Sequence, residues 1–215
     1  MNNLEFVKRL YKIATQYKTI YMWGCFGQLI TGGLINYKKS QYKSWYSRSK
    51  EKLFRSMIGK DYYAFDCVNL IKGVLWGWDD GDVKYRANEV PDVNANTFIK
   101  LCKEISTDFT SIRVGEVVWL NGHIGVYIGH GNVIEATPKW KNGVQITKLT
   151  DRKWLKHGFI PWIHYVEEKE ELSIEECRKL IQEKCEFSEP EEVWKLLDLH
   201  EYSTALYNKF ANAMR

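Results

Sequence analysis

Phe65-Asp66-Cys67-Val68-Asn69-Leu70-Ile71 puts a cysteine at the head of an amphipathic helix. Gly115-Glu116-Val117-Val118-Trp119-Leu120-Asn121-Gly122-His123-Ile124-Gly125-Val126-Tyr127-Ile128-Gly129 puts a histidine on a strand directly after an Asn-Gly turn. Val68, Ile71, Val74 and Leu75 recur at helical spacing, and Asp66 is a good N-cap type, so Cys67 takes the first helical position. There its sulfur lies beside unsatisfied N–H groups and the positive end of the helix dipole. A free thiol titrates at about 8.5, and such surroundings lower that value by a unit or more. A lone cysteine more often reads as a small buried apolar residue. The histidine stretch shifts the balance, because a thiol at a helix start and an imidazole on a nearby sheet are the two parts of a cysteine hydrolase.

Val117–Leu120, the Asn121-Gly122 turn and His123–Ile128 form a hairpin pattern, and Val133-Ile134-Glu135-Ala136 reads as a further strand. Alternation puts His123, Gly125 and Tyr127 on one face, with Ile124, Val126 and Ile128 facing the core. Glu135 shares the histidine's face if residue 125 or residue 123 pairs with it.

The chain has 215 residues, of which 45% are hydrophobic, enough for one domain of moderate size with an appendage. No stretch reaches the length of a membrane span. Residues 1–9 lack the apolar run of a signal peptide; instead Leu4, Val7, Leu10, Tyr11 and Ala14 mark an amphipathic helix. The expectation is synthesis in the cytoplasm. The cysteines at 25, 67, 102, 177 and 185 are scattered, and no histidine pair has zinc-ligand spacing. No metal and no cofactor is therefore expected. His130 reads as a turn residue, and His157 and His164 flank a last strand around Gly158-Phe159-Ile160.

Charge is unevenly spread. Residues 1–165 carry 24 Lys/Arg against 14 Asp/Glu, and residues 166–215 carry 7 against 13. A cationic part of this size is drawn to anionic polymers, the alternative being an ordinary solvated surface. The charge break coincides with a change to helical character. Ser173-Ile174-Glu175-Glu176 and Ser188-Glu189-Pro190-Glu191 are capping-box patterns. Val193, Trp194, Leu196 and Leu197 form one apolar stripe, and Ala205, Leu206, Phe210 and Met214 form another. Residues 166–215 are thus expected to be a small helical domain that anchors the protein to its substrate, mediates dimerisation or braces the first domain.

Between Tyr21 and Asp66 the chain interleaves Lys38, Lys39, Lys43, Arg48, Lys50, Lys52, Arg55 and Lys60 with Tyr37, Tyr42, Trp45 and Tyr46. The preferred reading of residues 31–60 is a helical lid whose aromatics pack on the catalytic part. Glycan contact is second and nucleic acid a distant third, so no nucleic-acid partner is expected.

Tyr21-Met22-Trp23-Gly24, Phe65-Asp66-Cys67, and Gly115-Glu116 through His123-Ile124-Gly125-Val126-Tyr127-Ile128-Gly129 to Val133-Ile134-Glu135-Ala136 resemble the motifs of the NlpC/p60 cysteine peptidases. The four motifs stand in the family's order, and the resemblance spans roughly residues 3 to 165. It implies a papain-like α+β fold, with N-terminal helices packed on an antiparallel sheet, over residues 1–165. It implies hydrolysis of an amide bond in the peptide stems of bacterial peptidoglycan, with a Gram-positive wall the expected partner and, for want of an export signal, release by phage lysis expected ahead of contact-dependent delivery. By the same resemblance Cys67 is the nucleophile, His123 the general base and Glu135 the residue that orients the imidazole. Tyr21 and Asp66 fall where the family contacts the stem. Val68 and Asn69 depart from the family's usual Ser-Gly, and the segment at 31–60 is longer than is usual. The alternatives are an N-acetylmuramoyl-L-alanine amidase with the same triad and a non-catalytic wall-binding module.

Overall fold

The computed structural model describes residues 1–166, 173–185, 190–198 and 203–214. The chain divides into two compact units, Met1–Val166 and Glu167–Arg215.

The first unit is α+β and opens with α1 (Asn3–Gln16), capped by Asn2, whose side chain accepts from the Glu5 N–H. Its buried stripe is Phe6, Leu10 and Ile13, while Leu4 and Tyr11 face outward. The expected helix is present, but rotated from the stripe that Leu4 and Tyr11 would set. The i, i+4, i+7 series starting at Phe6 supplies the apolar face.

β1 (Lys18–Tyr21), β2 (Phe26–Leu29) and β3 (Tyr62–Phe65) form a three-stranded sheet in the order β1-β3-β2. β1 and β3 run parallel, with Tyr21 opposite Phe65, so Tyr21 arrives beside the start of the next helix. Between β2 and β3 lie α2 (Gly32–Gln41) and α3 (Arg48–Arg55), which make up most of segment 31–60. Ile35, Tyr46 and Phe54 from this segment are buried with Ile20, Met22 and Ala64 in a core of their own. Trp45 and Tyr42 pack against that core, whereas Tyr37 stays exposed.

α4 (Cys67–Leu75) is buried along its whole length. Asp66 caps it, with its Oδ1 accepting from the Asn69 N–H at 2.8 Å. α5 (Ala95–Leu101) follows, and then β4 (Lys103–Ser106), β5 (Val117–Leu120), β6 (His123–Tyr127), β7 (Asn132–Thr137), β8 (Gly143–Lys148) and β9 (Lys156–Phe159). These six strands form an antiparallel sheet in the order β4-β9-β5-β6-β7-β8. One face, carrying Val117, Ile124, Val126, Ile134 and Ala136, joins α1, α4 and α5 in the main core. Val118, Val133 and Trp154 make a smaller cluster with Tyr127 and Leu120, residues of the opposite strand parity.

Two strand expectations are refined. β9 is last in sequence, yet it lies inside the sheet between β4 and β5. His157 sits within β9 and is buried with Glu116, its Nδ1 2.5 Å from Oε2, while its Nε2 meets the Asp108 carbonyl at 2.8 Å. His130 is the exposed turn residue expected of it, with φ +49°.

The second unit comprises α6 (Ile174–Cys185), α7 (Pro190–Asp198) and α8 (Ser203–Met214). Ser173 and Glu176 make the anticipated reciprocal capping box. Residues 188 and 189 of the other one lie outside the described residues. Cys177, Ile181, Trp194, Tyr207 and Ala211 form the core, and Arg178 spans Asp198 with both its carboxylate oxygens. Leu196 and Phe210 are exposed rather than in the stripes. On a helix Leu196 falls about 200° from Trp194, and Tyr207 with Ala211 takes the inner face of α8. Among the described residues no helix is long and apolar enough to cross a membrane.

Candidate active site

A cleft of about 310 Å³ opens over the first turn of α4 and is lined by Tyr21, Trp23, Asp66, Cys67, Asn69 and Gly122, among others. The 31–60 segment reaches it too. Tyr42 lines the cleft, and the Tyr46 hydroxyl donates to the Trp23 carbonyl at 2.8 Å. Trp45 packs against the rings of both Tyr21 and Trp23. The aromatic residues between the two motifs therefore build the wall on which Tyr21 and Trp23 rest.

Cys67 is the first residue of α4 and is buried. Burial, with the nearby Asp66 carboxylate, pushes its thiol up to about 12, although the Val68 and Ile124 N–H groups and the Tyr21 hydroxyl favour the thiolate. This corrects the sequence reading, in which the helix start lowers the value. One helix terminus offers only a few partial charges, and desolvation of an anion outweighs them here. The resting thiol is protonated at neutral pH, so any nucleophilic role needs a base beside it.

The strand that comes to the thiol is β6. The Ile124 N–H acts on the Cys67 sulfur, and Ile124 is the residue after His123. The pairing Val126↔Ile134 puts Gly125 opposite Glu135 and sets Glu135 diagonally from His123 on one face, one of the two registers considered from sequence. Gly125 is needed there. A Cβ at that position would lie 2.7 Å from Val133 Cγ1 and 3.3 Å from Glu135 Cβ. With no side chain between them, His123 Nε2 and Glu135 Oε2 meet at 2.5 Å.

Glu135 is fully buried and accepts from four donors. Oε2 takes His123 Nε2 and, at 2.6 Å, Arg152 Nη2. Oε1 takes Arg152 Nε at 3.0 Å and the Thr147 hydroxyl at 2.8 Å. Burial opposes ionisation, but the hydrogen bonds and charges of His123 and Arg152 outweigh it and hold the carboxyl below the usual range. An ionised Glu135 requires the hydrogen on Nε2, which leaves Nδ1 as the acceptor. Trp154 stacks on the imidazole at 5.7 Å with planes 15° apart.

Asp66 and Tyr21 both line the cleft. Asp66 Oδ2 also accepts from the Gly24 N–H at 2.8 Å and from Asn69 Nδ2 at 2.7 Å, so its carboxylate ties the Tyr21–Gly24 loop to the cap of α4. Asn69 Oδ1 is buried without a donor. Deeper in the cleft the buried Lys72 ammonium pairs with Asp92 and donates to the Val93 carbonyl at 2.8 Å. Sequence reasoning did not single out Arg152, Trp154, Thr147 or Lys72 for the site. Arg152 and Trp154 sit in a basic run after a strand and carry no spacing signal. Lys72 lies on an otherwise apolar helix, and that charge amid a buried stripe was a legible sign. Among the described residues no cluster of His, Cys, Asp and Glu is arranged to hold a metal ion.

No family model matches the sequence. No curated protein matches it either. Among solved structures it is similar to two Trichomonas vaginalis proteins. One is described as NlpC2, with 15% identity, 74% of this chain and 47% of that chain covered, and a TM-score of 0.42. The other is described as NlpC1, with 13% identity, 74% and 44% coverage, and a TM-score of 0.37. This chain spans less than half the length of either. Likeness this loose leaves the functional reading to the site itself.

Proposed function

We propose that this chain is a thiol hydrolase that cleaves an amide bond in the peptide stem of bacterial peptidoglycan. The observation that carries the reading is His123, paired with Glu135 and followed in its strand by the Ile124 N–H that acts on the thiol of the helix-capped Cys67, which lines the cleft. The choice of peptidoglycan rests on the motif resemblance to NlpC/p60 peptidases. The exposed Lys39, Lys43, Arg48, Lys52 and Arg55 of the 31–60 segment suit anionic wall polymers.

His123 Nδ1 takes the Cys67 proton as the sulfur attacks the scissile carbonyl. The Cys67 N–H at the helix start and the Tyr21 hydroxyl are donors beside the forming oxyanion. Collapse breaks the C–N bond, and the imidazolium gives its proton to the leaving amine. Water, deprotonated by His123, then attacks the acyl-thioester. The stem carboxylate leaves and the thiol regains its proton. Glu135 holds the ring and stabilises the imidazolium in each step. Asn69 Oδ1 offers an acceptor to a stem N–H.

Digestion of purified wall with identification of the new termini tests the reading. A new stem-peptide amine is expected. A free lactyl group with an L-Ala amine would assign the amidase reaction. No new ends, or wild-type digestion by Cys67→Ala, would overturn the proposal.

A further inference from the structure

Arg152 makes a fork to both oxygens of Glu135, and it is itself held in place. Its Nη2 donates to the Thr137 hydroxyl at 2.9 Å, and its guanidinium lies 4.8 Å from the Trp140 ring centre and 5.9 Å from that of Trp154. Trp154 is the same ring that stacks on His123. Two aromatic planes, one hydroxyl and one carboxylate thus fix a cation whose side chain is only 9% exposed. Such a fork is a geometric constraint as well as a charge.

We propose that Arg152 is a positioning residue of the active site: it locks the Glu135 carboxylate so that Oε2 holds His123 Nε2 and the Nδ1 edge of the ring is left for the Cys67 thiol. The inference rests on the reading of Cys67 and His123 as the reacting pair. The charged and titratable groups around them come from five elements. Glu135 is on β7 and His123 on β6. Arg152 follows β8. Cys67, with its cap Asp66, belongs to α4. Tyr21 on β1 is the further hydroxyl. Glu135 is a buried anion that needs one balancing cation. Arg152 supplies it and fixes which carboxylate oxygen faces the ring. Without Arg152 the carboxylate keeps only the Thr147 hydroxyl and the His123 ring as partners, and the fork that sets its plane is lost.

The test uses the full chain, a soluble muropeptide, and the variants Arg152→Gln and Arg152→Lys beside Cys67→Ala and His123→Ala. For Arg152→Gln the expected kcat falls about 10- to 100-fold with KM little changed. The acid limb of its pH profile moves up by about one unit, because a cation has been removed from the pair. Arg152→Lys keeps the charge and loses the fork, so its acid limb stays in place while kcat falls less. Ring 15N spectra read the same change without substrate: the parent shows the Nε2–H tautomer, and Arg152→Gln takes up its ring proton at higher pH. Unchanged kcat, profile and spectra in folded Arg152→Gln would overturn the inference. If Arg152→Gln does not fold, Arg152→Lys decides: parental kcat in the folded lysine variant rejects the positioning role. Turnover by Cys67→Ala or His123→Ala would instead sink the underlying mechanism. Dead Cys67→Ala and His123→Ala beside a fully active Arg152→Gln would sink this inference alone.

Discussion

Glu135→Gln is the substitution whose outcome the geometry specifies most closely. The carboxylate receives four donors, and the amide that replaces it has one oxygen and one NH2. With NH2 on the Oε2 side, it would face both His123 Nε2 and Arg152 Nη2, two donors at 2.5 and 2.6 Å. With NH2 on the Oε1 side, it faces Arg152 Nε and the Thr147 hydroxyl, and that hydroxyl can rotate to accept. The second arrangement leaves one conflict instead of two, so the amide oxygen stays on His123 and the ring keeps its tautomer. What disappears is the charge. A hydrogen bond to an ion contributes about 1.5–3 kcal/mol, so kcat is expected to fall about 10- to 100-fold. Arg152 is left as a buried cation without its counter-charge, a change worth about 3 kcal/mol of stability. Urea unfolding should show a lower midpoint with an unchanged slope. The double variant Glu135→Gln/Arg152→Met removes the stranded charge and should recover most of that stability but none of the turnover. A single variant with parental kcat, or a double variant no more stable than the single, would refute the reasoning.

Three further outcomes are expected. Cys25, Cys67 and Cys102 are each raised from 9.0 to about 12, chiefly by burial, so protonated thiols are favoured in the folded state. Their contribution is complete below pH 9 and lost between about pH 9 and 12, by about 1 kcal/mol per thiol at pH 10; an equal urea midpoint at pH 8 and pH 10 would contradict this. Gly125→Ala pushes a methyl to 2.7 Å from Val133 Cγ1 and 3.1 Å from the Ile134 carbonyl. It should cost about 1–3 kcal/mol and lower kcat by disturbing the Glu135 backbone, with Val133→Ala relieving the stability loss; parental stability would count against the close-approach argument. Residues 1–166 expressed alone should unfold cooperatively and still cleave soluble muropeptide, because the buried core of the second unit is formed by its own residues; an aggregated fragment would reject its independence.

The local features of the site were legible in sequence because their causes are local. The Asp66 cap, the apolar period of α4, the hairpin about Asn121-Gly122 and the alternation that separates His123 from Ile124 each depend on residues a few positions apart. The diagonal of His123 and Glu135 followed once one of two registers was chosen, and Gly125 carried the hint that the face was open. Tertiary structure alone decided the rest. The parallel pairing of β1 with β3 joins segments about 40 residues apart, and no local signal encodes it. The placement of β9 between β4 and β5 buries a His157–Glu116 pair that the sequence presented as a strand-flanking histidine. Arg152, Trp140 and Trp154 acquire meaning only when the segments on either side of β8 come together beside His123 and Glu135. The thiol of Cys67 shows the limit most directly. Its position at a helix start is a property of sequence and lowers its pKa. Its burial beside Asp66 is a property of the assembled fold and raises it. The second effect wins, because desolvating an anion takes away more than a few backbone dipoles return.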